Sequence, residues 1–191
     1  MKVLMLNGSP NKDGNINFLM EYMSSILKEN NADAEIINVQ EALLSATVPF
    51  CVCCSSPCNQ SCYKGTFLEE TLDKMEKADC IVFGSPVYFG SMSGQLKCLF
   101  DKTRTLRGKK ALIGKMGCAV VCGASKFGGQ ETTVRAIHDA MLVDGMTIIG
   151  ASSSEFGAGH HGVSAVRPAK DDENALSRAS LLAHRILEEL R

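Results

Sequence analysis

Five short, almost uninterrupted apolar runs, separated by stretches of helical periodicity, leave this chain very few ways to fold. The runs cover residues 2–6, 34–39, 79–84, 117–122 and 146–150. A strand with one wet face alternates apolar and polar residues, whereas a continuous apolar run predicts a strand covered on both faces. Between the runs, residues 15–29, 67–76, 93–106 and 130–143 carry helical periodicity, and a last helix is expected over 171–190. Strand and helix alternating in this order predict a doubly wound, five-stranded parallel sheet with right-handed crossovers, in three layers, α/β/α. Its length of 191 residues suits one domain, residues 1–191, with a sizeable core.

Composition narrows the function. Lys and Arg number 20 against 21 Asp and Glu, a formal charge of −1 that offers no basic excess for nucleic acid. Hydrophobic content of 45% and charged content of 21% exclude disordered and fibrous classes. No apolar run approaches the roughly 20 residues that span a bilayer, and the start MKVLMLNGSP turns polar too soon for a signal peptide. A cytoplasmic protein with no membrane partner is therefore expected.

In an open parallel sheet, ligands sit beyond the carboxyl ends of the strands, where the strand order reverses. The segments after the first, third and fourth runs are the places to look. The first, residues 7–15, is a Gly-rich polar turn opening a helix, which supplies backbone N–H groups and a helix dipole for a phosphate. It is not a P-loop, because its Gly spacing is one residue too long and no Lys-Ser or Lys-Thr follows; the dinucleotide fingerprint is absent as well. The second and third, residues 85–97 and 123–131, offer Gly for close backbone approach, hydroxyls and amides, and rings that stack on a flat ligand.

GSPNKDGN, SPVYFGSMSGQLK and the GGQE segment, each following its own strand, resemble the three FMN-contacting loops of the NADPH-dependent FMN reductase family. The likeness implies a flavodoxin-like fold and an FMN-dependent oxidoreductase with NAD(P)H as donor. It implies that Ser9, Asn15 and Asn17 hold the FMN phosphate. Pro86, Val87, Tyr88, Phe89 and Gly90 would line the ring, and Gly123, Ser125 and Gly128 would close it from the other side. Family members commonly carry a hydroxyl residue where this chain has Ile16. The family also implies a homodimer or homotetramer, and Leu96, Leu99, Phe100 and Thr103, recurring at helical spacing, are the candidate interface.

Five of the nine Cys, namely Cys51, Cys53, Cys54, Cys58 and Cys62, crowd into a Cys-rich insertion at about 49–66. Cys51, Cys54, Cys58 and Cys62 read C-x2-C-x3-C-x3-C, compact enough to wrap four thiolates around a small inorganic core. A tetrahedral zinc site usually spaces its ligand pairs further apart, and adjacent Cys53 and Cys54 are strained as a disulfide. Iron–sulfur cluster, zinc and no metal are the readings left open. The run resembles the Cys motif of the iron–sulfur flavoproteins, a branch of the same family with a 4Fe-4S cluster beside FMN. That motif is C-x2-C-x2-C with a later fourth Cys; here the middle gap is one residue longer and Cys53 is extra.

Two further signals are read as structural. Cys98 to Thr105 matches the C-x5-R-T pattern of Cys-dependent phosphatases but falls within an expected helix, and His160 and His161 sit in a Gly-rich loop where adjacent histidines are usually just exposed. The resulting expectation is an enzyme with no protein catalytic acid or base, whose FMN exchanges electrons with a four-iron cluster and with a small-molecule or protein redox partner. A cluster-free flavin or quinone reductase and a flavodoxin-type carrier are the alternatives.

Overall fold

A computed structural model describes residues 1–154 and 157–190. Of the expected loop at 152–170, Glu155 and Phe156 lie outside the described residues, as does Arg191 at the end of the domain. The parallel sheet runs in the order β2 (Asp33–Asn38), β1 (Lys2–Asn7), β3 (Cys80–Pro86), β4 (Met116–Gly123), β5 (Thr147–Ile148). The chain winds outward from β1 in both directions, so the β1/β3 edge is the point of reversal.

The central strands are apolar throughout because both their faces are covered. One face presents Val3, Met5, Val82, Cys118 and Val120 to α1 (Asn15–Glu29) and, across it, to α7 (Glu173–Glu189). The other presents Leu4, Leu6, Ile81, Phe83, Ala119 and Val121 to α2 (Val39–Ser45), α3 (Phe67–Lys77), α4 (Gly94–Lys102), α5 (Arg104–Lys109) and α6 (Gln130–Val143). The three-layer α/β/α expectation holds.

Three elements differ from expectation. The helix anticipated over 93–106 breaks at Thr103, whose hydroxyl is drawn to the Phe100 carbonyl (2.8 Å) and the Asp144 carboxylate (3.0 Å), closing α4 and opening α5. The stripe Leu96, Leu99, Phe100 and Thr103 is buried within the chain, with Phe100 stacked on Phe83 at 4.8 Å between ring centres, so these residues are core and face no partner. The fifth run is a strand over only two residues. The same sheet position resumes at β8 (Val163–Val166), which also pairs in parallel with β4, after an excursion holding the antiparallel pair β6 (Ala151–Ser153) and β7 (Gly157–His160). The last helix begins at Glu173, where Asp172 Oδ1 accepts the Ala175 N–H at 3.0 Å, after a short 3-10 turn at Ala169–Asp171.

Candidate functional site

The loops after β1, β3 and β4 meet at the carboxyl edge because small residues let their backbones touch. Gly8 donates its N–H to the Gly84 carbonyl at 2.8 Å, and a Cβ on Gly8 would stand 2.8 Å from both that oxygen and Leu96 Cβ. Ser93, fully buried, ties three segments together. Its hydroxyl donates to the Gly8 carbonyl (2.6 Å) and accepts the Leu96 N–H as N-cap of α4 (3.1 Å), while its N–H donates to Ser85 Oγ (2.8 Å). Gly129, at φ 99°, lets the third loop rest on the second, since a Cβ there would lie 3.0 Å from Gly90 Cα; Thr132 Oγ1 donates to the Gly90 carbonyl at 2.8 Å.

In the first loop, buried Ser9 donates its N–H to Asn7 Oδ1 (3.0 Å), and Ser9 Oγ accepts the Asn11 N–H (3.1 Å), which keeps the Ser9 hydroxyl proton available to a ligand. No side chain caps α1 and its first turn holds no acidic residue, so its dipole faces this loop uncompensated. Asn15 accepts the Ala169 N–H on Oδ1 at 2.8 Å, orienting its amide donors. Asn17 instead donates to Glu21 at 2.8 Å along the helix. Ile16 is buried and points at Gly84, where a Cβ would meet it at 2.6 Å, so this position faces the core.

In the second loop, Pro86 and Val87 are half-buried, and Val87 donates its N–H to the Cys122 carbonyl at 3.0 Å. Tyr88 and Ser91 exchange two backbone hydrogen bonds around a tight turn whose central residues, Phe89 and Gly90, have φ of 50° and 71°. Two positive φ values in succession make a primed hairpin turn. The Phe89 ring stands fully in solvent and Tyr88 is half-exposed. In the third loop, Gly123 leaves room for Gln130, which would lie 2.5 Å from a Cβ there and donates to the Ser125 carbonyl at 2.7 Å. A Cβ on Gly128 would sit 2.9 Å from that same carbonyl, and exposed Phe127 between them has φ 56°.

The expected residues of all three loops thus come to one edge, and the uncapped helix, free hydroxyl, glycine cradle and exposed rings fit a flat ligand with a phosphate tail. Sequence reading passed over Asn7, Gly8, Ser85, Ser93, Gly129 and Gln130, which shape the loops. Ser93 opens the run expected to be helical, 93–106, and the structure makes it the N-cap one residue before the helix.

The cysteine segment has no regular secondary structure and is closed at its ends by Thr47 N–H to the Cys62 carbonyl, 2.9 Å. Lys102 Nζ donates to the Val48 carbonyl (2.6 Å) and to Cys62 Sγ (3.2 Å). Arg104 donates to the Ser55 carbonyl at 3.1 Å, and its guanidinium holds its proton more firmly than usual through a hydrogen bond to Cys51 and the nearby charges of Cys53 and Cys58. Burial pushes the Tyr63 hydroxyl up to about 12, opposed by its bond to Thr105 and reinforced by Cys58 and Cys62. Of the five, Cys53 and Cys54 are exposed and Cys51, Cys58 and Cys62 are half-buried. Among the described residues, no three His, Cys, Asp or Glu side chains converge on one point. The donor set nonetheless suits a thiolate-bound cluster in kind: all five thiols are free, two cations face them, and no Asp or Glu occurs between Phe50 and Thr66.

A cleft of about 550 Å³ runs beside Cys51, Phe100, Arg104 and Asp144. It shares Lys97, Ala140 and Val143 with a second, of about 400 Å³, that reaches Ser91 and Met92 of the second loop. The cysteine segment and that loop therefore lie along one groove between α4 and α6. The C-x5-R-T segment lies on α4 and α5, where burial pushes the Cys98 thiol up, against activation as a nucleophile. His160 is exposed on β7, while the His161 ring lies 6.1 Å from that of His138.

Residues 1–161 match the family described as NADPH-dependent FMN reductase. An iron-sulfur flavoprotein of Methanocaldococcus jannaschii is 36% identical over 98% of this chain and 96% of its own length. One of Methanosarcina thermophila is 32% identical over 100% of this chain and 95% of its own. A solved structure of a flavodoxin, WrbA-like protein, from Agrobacterium tumefaciens shares the fold with a TM-score of 0.65 at 17% identity, covering 98% of this chain and 95% of that one. With three loops meeting at the sheet's switch point and a family match over most of its length, the chain belongs to the NADPH-dependent FMN reductase family and is an FMN-dependent oxidoreductase of flavodoxin-like fold.

Proposed function

We propose that this chain holds FMN in the three loops and a 4Fe-4S cluster in the cysteine segment, and that electrons pass between the two. The observation that carries the reading is the groove between α4 and α6, which joins the loop at Ser91 and Met92 to Cys51. Bound FMN supplies hydride and single-electron chemistry, and a cluster supplies single-electron storage. The chain's own residues bind and orient. Ser9, the α1 N-terminus and Asn15 hold the phosphate, with Asn17 at the helix margin. Pro86, Val87, Tyr88, Phe89 and Gly90 line one side of the ring, and Gly123, Ser125 and Gly128 close the other. Cys51, Cys58 and Cys62 ligate the cluster with a fourth thiol from the adjacent pair. Spacing selects Cys54, with Cys53 the alternative. NAD(P)H as donor, a small-molecule or protein acceptor, and a homodimer or homotetramer complete the proposal. Among the described residues, no helix is long and apolar enough to cross a membrane.

Mass spectrometry of the released cofactor tests the flavin. FMN is expected; FAD, or no flavin after reconstitution with FMN, overturns the site. Iron and sulfide counted per flavin in anaerobically purified protein test the cluster, and iron-free protein leaves the cluster-free reductase. Single Ser replacements then choose the ligands: Cys54→Ser should lose most of the iron and Cys53→Ser keep it, and the reverse makes Cys53 the fourth ligand. Light scattering at micromolar concentration should give a dimer or tetramer, and a monomer rejects the oligomer.

A further inference from the structure

A fourth segment, residues 167–170 after β8, reaches the carboxyl edge beside the three loops. Arg167 donates its backbone N–H to the Gly123 carbonyl at 3.0 Å, one step beyond the Val166 and Gly123 pair, so it extends the β4–β8 ladder to the start of the third loop. Ala169 donates its N–H to Asn15 Oδ1 at 2.8 Å, which fixes the same segment against the first turn of α1. Side chains alternate along a strand, and Val163 and Ala165 face the layer of α1 and α7, so Arg167 continues on that face. Cys122, in register with Ala165 on the same face, agrees: burial and then Asp172 push its thiol up to about 11, and Arg167 opposes them. Asp172 already spends both oxygens on backbone, accepting the N–H of Val166 at 2.8 Å and of Ala175 at 3.0 Å. Arg167 is exposed, and among the described residues no carboxylate forms an ion pair with it.

A phosphate monoester brings about −1.5 to −2 charges at pH 7. The first loop has little to set against them. Its one cation, Lys12, is paired with Glu41 at 2.7 Å, and the next residue, Asp13, is acidic. The α1 N-terminus supplies roughly half a positive charge, and the Ser9 hydroxyl supplies none. We infer that Arg167 is a further FMN-binding residue, whose guanidinium pairs with the FMN phosphate from the β8 side of the α1 N-terminus. The inference rests on the FMN reading above and adds the counter-charge that the first loop lacks. A guanidinium suits the task because it is permanently charged and its planar fork meets two phosphate oxygens at once. Because Arg167 follows the resumed half of the split fifth strand, only the ladder with Gly123 brings it to this edge.

The test titrates FMN and riboflavin, which lacks the phosphate, into the deflavinated full-length chain and follows flavin fluorescence. Arg167→Gln should weaken FMN about tenfold, the loss of one charge-assisted pair, and leave riboflavin unchanged. Arg167→Lys should recover part of the FMN affinity, since it keeps the charge without the fork, and the surface change Lys77→Gln should leave both flavins alone. FMN affinity should also fall less steeply with added KCl in Arg167→Gln than in the unmodified chain, and this slope decides if riboflavin binds too weakly to measure. Equal weakening of FMN and riboflavin by Arg167→Gln would place the arginine on the ring or in the shape of the third loop and overturn the inference. FMN bound equally well, with an unchanged salt slope, overturns it too while leaving the flavin site standing. An unmodified chain that binds no FMN removes the flavin reading and this inference together.

Discussion

Two phenylalanines, Phe89 and Phe127, sit with φ of 50° and 56°, a left-handed conformation that is a true outlier for a bulky residue, and both rings are fully exposed. Each such residue costs on the order of 1–3 kcal/mol, and an exposed ring returns nothing to the core. Strain without a folding benefit points to a ligand. Phe89→Gly relieves that strain at a chain-entropy cost of about 0.5–1 kcal/mol, so thermal stability should hold or rise by up to about 2 kcal/mol. FMN affinity, followed by fluorescence quenching, should drop several-fold; a large stability loss with unchanged affinity would make the ring structural. At this scale the sequence placed Ser9 and Tyr88 on loops that the structure brings to one edge, and was mute where a loop's shape depends on a neighbour. Nothing in the spacing tells that Ile16 looks inward at Gly84 or that Gln130 fills the space Gly123 leaves.

Among the elements, α4 bears the most. Its N-cap Ser93 bridges Gly8, Ser85 and Leu96, so one hydroxyl joins the first two ligand loops. Ser93→Ala should destabilise the protein by about 1–3 kcal/mol in denaturant unfolding and weaken FMN binding, because it orphans a buried carbonyl as well as a cap. Helix α6 carries a second testable feature. His138 Nε2 is buried with no hydrogen-bond partner, and its pKa is lowered from the ordinary 6.5, first by burial and then by His161. The folded chain keeps this ring neutral at pH values where the unfolded chain protonates it, so unfolding takes up a proton below pH 6.5. Stability should therefore be level above that value and decline as pH falls through it. His138→Gln should flatten the decline in thermal melts, and an unchanged slope would place its origin elsewhere. The bounds of α1, α3 and α6 follow closely from helical periodicity, because each has one clear buried stripe. The break at Thr103 does not, because it depends on Asp144, forty-one residues away.

Over the whole molecule, the parallel three-layer sheet and the meeting of its loops at the carboxyl edge were legible because both follow from alternation and chain direction, whereas the strand order was not, and the split fifth strand was hidden by its own interruption. Gly117 faces Ile148 and Val120 faces Val163, so only Cys118 and Ala119 of β4 separate the two pairings. Ile149 already donates its N–H to the Gly117 carbonyl at 2.9 Å. Ile149 and Gly150 are thus the right number of residues to run straight on into Val163, and the intervening stretch is an insert with a natural seam. Excising residues 151–162 and joining Gly150 to Val163 should give an uninterrupted fifth strand beside β4. The shortened chain should still unfold cooperatively and bind FMN, with lower stability because Ala151, fully buried, is lost from the packing. Failure to fold would show that the excursion is integral to the core. Success would make that seam a socket: a place to exchange one appendage for another, and so to change what docks at this end of the sheet without disturbing the flavin loops.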